Sequence, residues 1–243
     1  MYTRDNLIAA AFALPIVIGL IIGLYFLLRK RSLKMQLIPF MVIAGLLIVM
    51  EIAKQIISIV NGYNFFHIPL HICSVFLFSF ALAVFLKQGS RASKMFWALS
   101  LIVGSLVVAL MLIGPNIILS GSINTSSATS LFMSIHTIVY HYILIVFVVL
   151  AFMFGFHKKL SFLDLMLGIA AFAVFLIIAI IMSNVLDTNY SAFLRDFVFI
   201  SMFDLPLWLY QMFGFLIYTA GAFIIAAIIF GVNRIKRKNR IDA

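Results

Sequence analysis

The chain of 243 residues has few charged side chains and almost no cysteine. Only 10% of its residues are charged, against about a quarter in a typical soluble globular domain. Acidic residues are especially scarce, with 7 Asp and Glu against 17 Lys and Arg. The single cysteine excludes a disulfide within the chain. These shortages argue against a soluble domain and against a secreted module held together by disulfides.

Long apolar runs take the place of the missing charges. Hydrophobic residues make up 65% of the chain, and its mean hydropathy is +1.24. A run of roughly 20 apolar residues crosses the hydrocarbon core of a bilayer as a helix. Seven such runs are present: Leu7–Leu28, Leu37–Ile59, Ile68–Leu86, Met95–Pro115, Leu131–Phe154, Phe162–Met182 and Pro206–Phe230. We therefore predict an all-α polytopic membrane protein, a bundle of seven transmembrane helices that forms one domain over residues 1–243. A short interfacial helix is also predicted around residues 193–202.

The positive charges lie on one side of the predicted bundle. Fourteen of the 17 Lys and Arg residues follow the first, third and fifth runs or lie in the C-terminal tail. Loops rich in Lys and Arg stay in the cytoplasm, so the N-terminus is predicted outside and the C-terminus inside. The formal charge of +10 is thus a sign of topology and not of nucleic-acid binding. The predicted location is the cell (plasma) membrane, with multiple passes.

Polar residues concentrate in the outer half of this predicted bundle. The segment from His67 to Cys73 reads His-Ile-Pro-Leu-His-Ile-Cys and opens the third run. Ionisable groups are expensive inside a membrane, so a cluster of them indicates a functional site. The residues at this depth are Glu51, Lys54, His67, His71, Cys73, His136, His141, Asn184, Tyr210, Gln211 and Tyr218.

Helical geometry limits which of these side chains can meet. His67 and His71 share a face if the third helix already includes His67, and Pro69 suits a first helical turn. His71 and Cys73 are about 200° apart around a helix axis. A base for the Cys73 thiol is therefore expected from another helix. The fifth helix offers His136 and His141, which are about 140° apart around their own axis.

Each of these residues also has a purely structural interpretation. A lone cysteine in a transmembrane helix usually packs as a small apolar side chain. Glu51 has Lys54 three residues further along the same helix, and an ion pair between them would satisfy a buried carboxylate. Convergence of several histidines, one thiol and one carboxylate at one depth favours a chemical site over packing.

The third-helix motif resembles a known family. His-Ile-Pro-Leu-His-Ile-Cys at residues 67–73 is similar to the Leu-Pro-Leu-His-Leu-Cys signature of the YwaF-like integral membrane proteins. The resemblance extends to Glu51, to His141, and to Asn184 followed by Asn189 and Tyr190, so it covers nearly the whole chain. It implies a fold of seven helices. Eukaryotic relatives of that family are implicated in lysophospholipid acyl transfer through an acyl-cysteine.

The resemblance implies a thiol-dependent acyltransferase that acts on phospholipids and lysophospholipids. Cys73 would be the nucleophile and His141 its base, with His136 as the alternative base. Asn184 or Gln211 is the candidate for steadying the oxyanion. The residues predicted to bind substrate are His71, Glu51, Asn184, Asn189, Tyr190 and Gln211. Membrane lipids are the predicted partners; no cofactor, metal or nucleic acid is predicted.

Two other functions use the same residues. A proton-coupled transporter or solute-binding protein would use Glu51, Lys54 and the histidines as a path, although polar residues are scarce in the inner half of the runs. A metal site would use His67 and His71 with His136 or His141, a set that resembles catalytic zinc. Haem bound between the third and fifth helices is a variant of the same idea.

Overall fold

The computed structural model describes residues 4–113, 126–194 and 205–238, and that part of the chain is helical, without a β-strand. Its α-helices are α1 (Arg4–Leu28), α2 (Leu33–Val60), α3 (Ile72–Phe85), α4 (Arg91–Ile113), α5 (Ala128–Met153), α6 (Phe162–Leu186) and α7 (Leu207–Lys238). Short 3₁₀ turns lie at Phe65–His67, Phe156–Lys159 and Tyr190–Ala192. The predicted interfacial helix at residues 193–202 falls almost wholly outside the described residues.

Within the described residues, six of these seven helices are long and apolar enough to cross a membrane. Large apolar side chains are exposed along them, for example Phe12, Val42, Val174 and Ile224. An apolar surface of this extent is typical of contact with lipid. The prediction of an all-α, multi-pass membrane protein is therefore confirmed. The predicted orientation, with the N-terminus outside, stays a prediction, as does the choice of the plasma membrane.

The third predicted span was wrong at its start. We expected a helix from Ile68, but α3 begins at Ile72 and is 14 residues long. Pro69 explains the delay, because the residue before a proline is pushed out of the helical region. Ile68 is indeed extended, with φ −57° and ψ 133°. His71 is extended as well, with φ −76° and ψ 152°, and is the N-cap of α3. His67 and His71 therefore do not share a helical face.

The helix α4 lies at the centre of the bundle and contacts α3, α5, α6 and α7. Two glycines allow its neighbours to come close. A Cβ on Gly104 would lie 2.8 Å from Val148 of α5, and one on Gly168 of α6 would lie 3.0 Å from the backbone nitrogen of Leu99. Gly168 thus brings α6 against the main chain of α4.

One end of the bundle is filled by aromatic rings. Trp97 stacks on Phe156 with ring centroids 4.4 Å apart, and Phe80 and Phe147 are 4.3 Å apart. Phe40 packs edge-on against the same rings. Glu51 lies eleven residues further along α2, about 16 Å from Phe40 along the axis. The aromatic cluster therefore supports the bundle from the end opposite to the polar residues.

Candidate functional site

The only thiol of the chain lies at the beginning of α3. Cys73 is the second residue of that helix, directly after Ile72, and is partly buried against the core. The hydroxyl of Tyr140 in α5 donates to the Cys73 carbonyl oxygen at 2.5 Å. Tyr140 is the thirteenth residue of α5, about 18 Å from the first residue of that helix. The start of α3 is thus at the depth of the middle of α5.

Side chains satisfy the backbone that leads into α3. Residues 65–70 are not in an α-helix, and unsatisfied carbonyls are costly at membrane depth. Gln55 of α2 donates to the His67 carbonyl at 2.7 Å. Two donors come from the turn that follows α6: the Tyr190 hydroxyl donates to Phe65 O at 2.5 Å, and the Ser191 hydroxyl donates to Leu70 O at 3.2 Å. The late start of α3 is therefore stabilised by neighbouring elements.

His71 joins this segment to the same turn. Its Nε2 lies 3.1 Å from the Phe66 carbonyl oxygen, which fixes the proton on that nitrogen. Its Nδ1 then accepts from the Ser191 amide at 3.5 Å. The ring also lies 5.5 Å from that of Tyr190, centroid to centroid. Both ring nitrogens of His71 are engaged in holding two loops together.

The turn from Tyr190 to Ala192 has an unusual backbone. Ser191 and Ala192 have φ values of 54° and 62°, a left-handed conformation that side chains other than glycine rarely adopt. Their carbonyl oxygens accept hydrogen bonds from two tyrosines of α7, at 3.0 Å from Tyr218 and 3.2 Å from Tyr210. The turn is thus held between α7 and the start of α3.

Glu51 has its two oxygens in different surroundings. Oε1 accepts from Lys54 Nζ at 2.8 Å and from Gln55 Nε2 at 2.7 Å. Oε2 lies 3.9 Å from His136 Nε2, and no described residue donates a hydrogen bond to it. The ion pair with Lys54 that the sequence suggested is present. It occupies only one side of the carboxylate.

His136 and His141 are both buried in α5, with 7% and 3% of their surface exposed. Nδ1 of His141 lies 2.7 Å from the Thr137 carbonyl oxygen, so this nitrogen carries the proton and Nε2 has a free lone pair. Nε2 of each ring has no hydrogen-bond partner. The His141 ring lies within electrostatic range of His136 and His71. Both predicted bases therefore point unpaired nitrogens into the interior.

His67 lies outside the membrane-spanning helices, and its Nδ1 is 2.7 Å from the Ser58 hydroxyl. Burial lowers the pKa of His67 below 6.5, and the Lys54 ammonium lowers it further, against an opposite effect of Glu51. The ring is therefore uncharged at neutral pH and can accept a hydrogen bond from Ser58.

Three predicted substrate-binding residues make structural contacts. The amides of Asn184 and Gln211 pair across α6 and α7, with nitrogen–oxygen distances of 2.9 and 3.3 Å. No hydrogen bond joins this pair to Cys73 or to a histidine among the residues that the structure describes. Asn189 accepts from the Leu194 amide at 2.8 Å and so shapes the turn after α6. The structure brings Glu51, His136, Tyr140 and Cys73 together, with these amides outside that group.

No three His, Cys, Asp or Glu side chains of the described residues are arranged to hold a metal ion. The zinc alternative therefore has no ligand set in that part of the chain.

The family model described as the TMEM164 family matches residues 1–232. The chain belongs to the TMEM164 family. No curated protein matches it, and no solved structure matches it either. The expected membership of a YwaF-like family was wrong. That expectation depended on one short motif and a few separate polar residues, whereas the match to the TMEM164 family extends over almost the whole chain.

Two residues at the site of this TMEM164-family protein were not among those predicted from its sequence. Tyr140 was overlooked, although it is one turn after His136 on the same face of α5. Gln55 was overlooked, although it is one turn after Glu51. Residues four apart on a helix are neighbours, so extending each candidate by one turn would have found both.

Proposed function

We propose that this membrane protein of the TMEM164 family transfers acyl chains between phospholipids, with Cys73 as nucleophile and His141 as its base. The observation that carries the proposal is the buried, unpaired Nε2 of His141. His141 is next to Tyr140, whose hydroxyl binds the Cys73 carbonyl. It is also within electrostatic range of His71, the N-cap of the helix that bears the thiol.

The position of Cys73 suits a thiolate that forms during the reaction. Cys73 is in the first turn of α3, where backbone N–H groups point towards the helix end and the helix dipole is positive. These groups would stabilise the negative charge as His141 takes the thiol proton. No hydrogen bond joins Cys73 Sγ to a histidine among the described residues, and such contacts often form only when substrate binds. The orientation of His141, fixed by Thr137, keeps its free nitrogen as the acceptor.

The proposed reaction has two halves. In the first, His141 Nε2 takes the thiol proton, and the thiolate attacks the ester carbonyl of a phospholipid. The ester bond to glycerol breaks, the leaving alkoxide takes the proton from His141, and a thioester on Cys73 remains. In the second, a lysophospholipid hydroxyl attacks the thioester, loses its proton, and forms a new ester while the thiol is restored. The two half-reactions proceed without an oxidant or a cofactor.

The surroundings suit a lipid substrate. The helices around the site expose apolar side chains, so an acyl chain can enter sideways from the bilayer. With the N-terminus outside, the site would open to the outer leaflet. Transport is the competing proposal, and it would use Glu51 as a proton carrier. One oxygen of that carboxylate is already bound by Lys54 and Gln55, which argues against free exchange of its proton.

The test uses the full-length protein in nanodiscs of phosphatidylcholine with an isotope-labelled acyl chain. We expect label on the Cys73 peptide by mass spectrometry, released by neutral hydroxylamine, and label in added lysophospholipid. Cys73→Ala and His141→Gln should abolish both signals. His157→Gln is the matched control, because His157 is equally buried but lies in the 3₁₀ turn after α5. Full transfer by the Cys73→Ala protein would end the proposal.

A further inference from the structure

The two buried histidines of α5 have different partners. His141 is tied by Nδ1 to its own helix through Thr137. His136 instead directs Nε2 at a carboxylate, with 3.9 Å between that nitrogen and Glu51 Oε2. Neither atom has a hydrogen-bond partner among the described residues. The proposed chemistry uses His141 as its base and gives no role to His136.

The gap between these two atoms leaves His136 Nε2 able to accept a proton. At 3.9 Å they are too far apart for a direct hydrogen bond, which needs about 3.2 Å or less. An unprotonated Nε2 can therefore accept a hydrogen bond from a hydroxyl beside it. The carboxylate is still close enough to stabilise the ring once the ring is protonated.

The carboxylate is held so that Oε2 faces the gap. Lys54 and Gln55 both bind Oε1, at 2.8 and 2.7 Å. Gln55 is itself fixed by the Tyr63 hydroxyl, which donates to its Oε1 at 2.8 Å. The carboxylate therefore has little freedom to turn. Lys54 also offsets its charge, which lowers the cost of burying it.

The gap is close to the thiol. Cys73 lies within electrostatic range of both Glu51 and Lys54, and so does His136. Tyr140 stacks on His136 with ring centroids 6.1 Å apart, and its hydroxyl binds the Cys73 carbonyl. A hydroxyl bound at His136 Nε2 is thus held beside the first turn of α3.

We propose that His136 Nε2 accepts a hydrogen bond from the hydroxyl of the acyl acceptor, a lysophospholipid, and is the base of the second half-reaction, with the Glu51 carboxylate beside it. This inference rests on the proposed function and assigns the two histidines to different halves. His136 takes the proton of the acceptor hydroxyl as its oxygen attacks the Cys73 thioester. The carbon–sulfur bond breaks, the new ester forms, and the proton passes from His136 to the departing thiolate. While His136 carries this proton, the Glu51 carboxylate stabilises the positively charged ring.

The experiment separates the two halves in the full-length protein. Nanodiscs with the labelled acyl donor alone report formation of the thioester, and a chase with lysophospholipid reports its discharge. We expect Glu51→Gln and His136→Gln to form the thioester like the wild type but to discharge it at least about tenfold more slowly. A general base typically accelerates a reaction by about a hundredfold or more, so a tenfold loss is a low threshold. His157→Gln should match the wild type in both steps.

Hydroxylamine provides a second readout. It is a strong nucleophile that needs no base, so it should discharge the thioester of every variant at the same rate. A merely structural defect at His136 would slow this reaction or prevent the thioester from forming. Wild-type discharge by lysophospholipid in either variant, or loss of the thioester in both, overturns the inference. Absence of a thioester in the wild type would instead overturn the proposed function itself. If His136→Gln does not elute as a folded protein, the near-isosteric Glu51→Gln decides alone.

Discussion

Tyr140 and Cys73 are joined by a hydrogen bond from the tyrosine hydroxyl to the cysteine carbonyl, 2.5 Å long. It connects the middle of α5 to the first turn of α3. The bond fixes the position of the thiol without touching the sulfur. It therefore sets the distance between Cys73 and the histidines on either side of Tyr140.

Tyr140→Phe should reduce acyl transfer and cost about 1 kcal/mol of stability, the usual net worth of one such hydrogen bond. The reason is that the start of α3 would lose this hydrogen bond to α5 while the aromatic ring stays packed. Thermal unfolding in detergent and the transfer assay measure the two effects. Tyr25→Phe is the control, because the Tyr25 hydroxyl makes no hydrogen bond with the described residues, and it should change neither. Unaltered transfer by Tyr140→Phe would show that this bond does not position the thiol.

Gly168→Ala should destabilise the bundle by roughly 1 to 3 kcal/mol, as overpacking does. Its new Cβ would lie 3.0 Å from the backbone nitrogen of Leu99, which cannot move aside as a side chain can. Gly45→Ala is the matched control, because nothing lies within 4 Å of the corresponding Cβ in α2. The Gly168→Ala variant should therefore unfold at a lower temperature than the Gly45→Ala variant. Equal values would mean that α4 and α6 are not in such close contact.

Ala192→Gly should stabilise the protein by up to about 1 kcal/mol, because a left-handed residue other than glycine is strained by roughly that amount or more. Ala192 has a φ of 62° and contributes only its carbonyl to the turn, which glycine keeps. Ala171→Gly within α6 should have the opposite sign, at about 1 kcal/mol of destabilisation. Chemical denaturation of both variants gives the comparison, and a loss of stability in Ala192→Gly would contradict the strained turn.

Stability should fall as the pH drops below 6.5, in part because of His67. The pKa of this residue is lowered in the folded protein, so the unfolded chain takes up a proton before the folded one does. The contribution of the uncharged His67 ring to stability is therefore fully present above pH 6.5. It is lost as the pH falls from 6.5 towards the pKa of the folded state, because the unfolded chain binds the proton first. His67→Gln should flatten the dependence of the unfolding temperature on pH over this range. An unchanged slope would remove His67 as a cause.

The predicted orientation can be tested with added thiols, since the only native cysteine is packed against the core. Asn64→Cys, between α2 and α3, should react with a membrane-impermeant maleimide on intact cells. Ser90→Cys, between α3 and α4, should react only after permeabilisation. The reverse pattern would invert the topology and place the site towards the cytoplasm.

The fold could largely be predicted because length and hydropathy determine a membrane helix. Six of the seven runs correspond to helices able to span the bilayer. The third did not, because the effect of Pro69 on Ile68 outweighed the continuous apolar pattern. Hydropathy reports that a segment is buried in lipid or protein, and it does not report where the backbone leaves the helix.

The site could be predicted only in part. The depth of Glu51, His136 and Cys73 followed from counting residues along helices, and the structure places these elements together. The use of both His71 nitrogens by Phe66 and Ser191 could not be foreseen, since it depends on a turn 120 residues away in the chain. Contacts between distant segments leave no periodic signal in one sequence.

The shortness of α3 has a consequence for the surrounding bilayer. At 14 residues the helix is about 21 Å long, whereas the hydrocarbon core measures about 30 Å. Residues 65–71, which are not in an α-helix, therefore cover the remaining thickness, and a thinner bilayer reduces the hydrophobic mismatch at this place. Lipid polar groups lie closer to Cys73 in such a bilayer, so thin, fluid membranes should favour access to the thiol and thick, sterol-rich ones should oppose it.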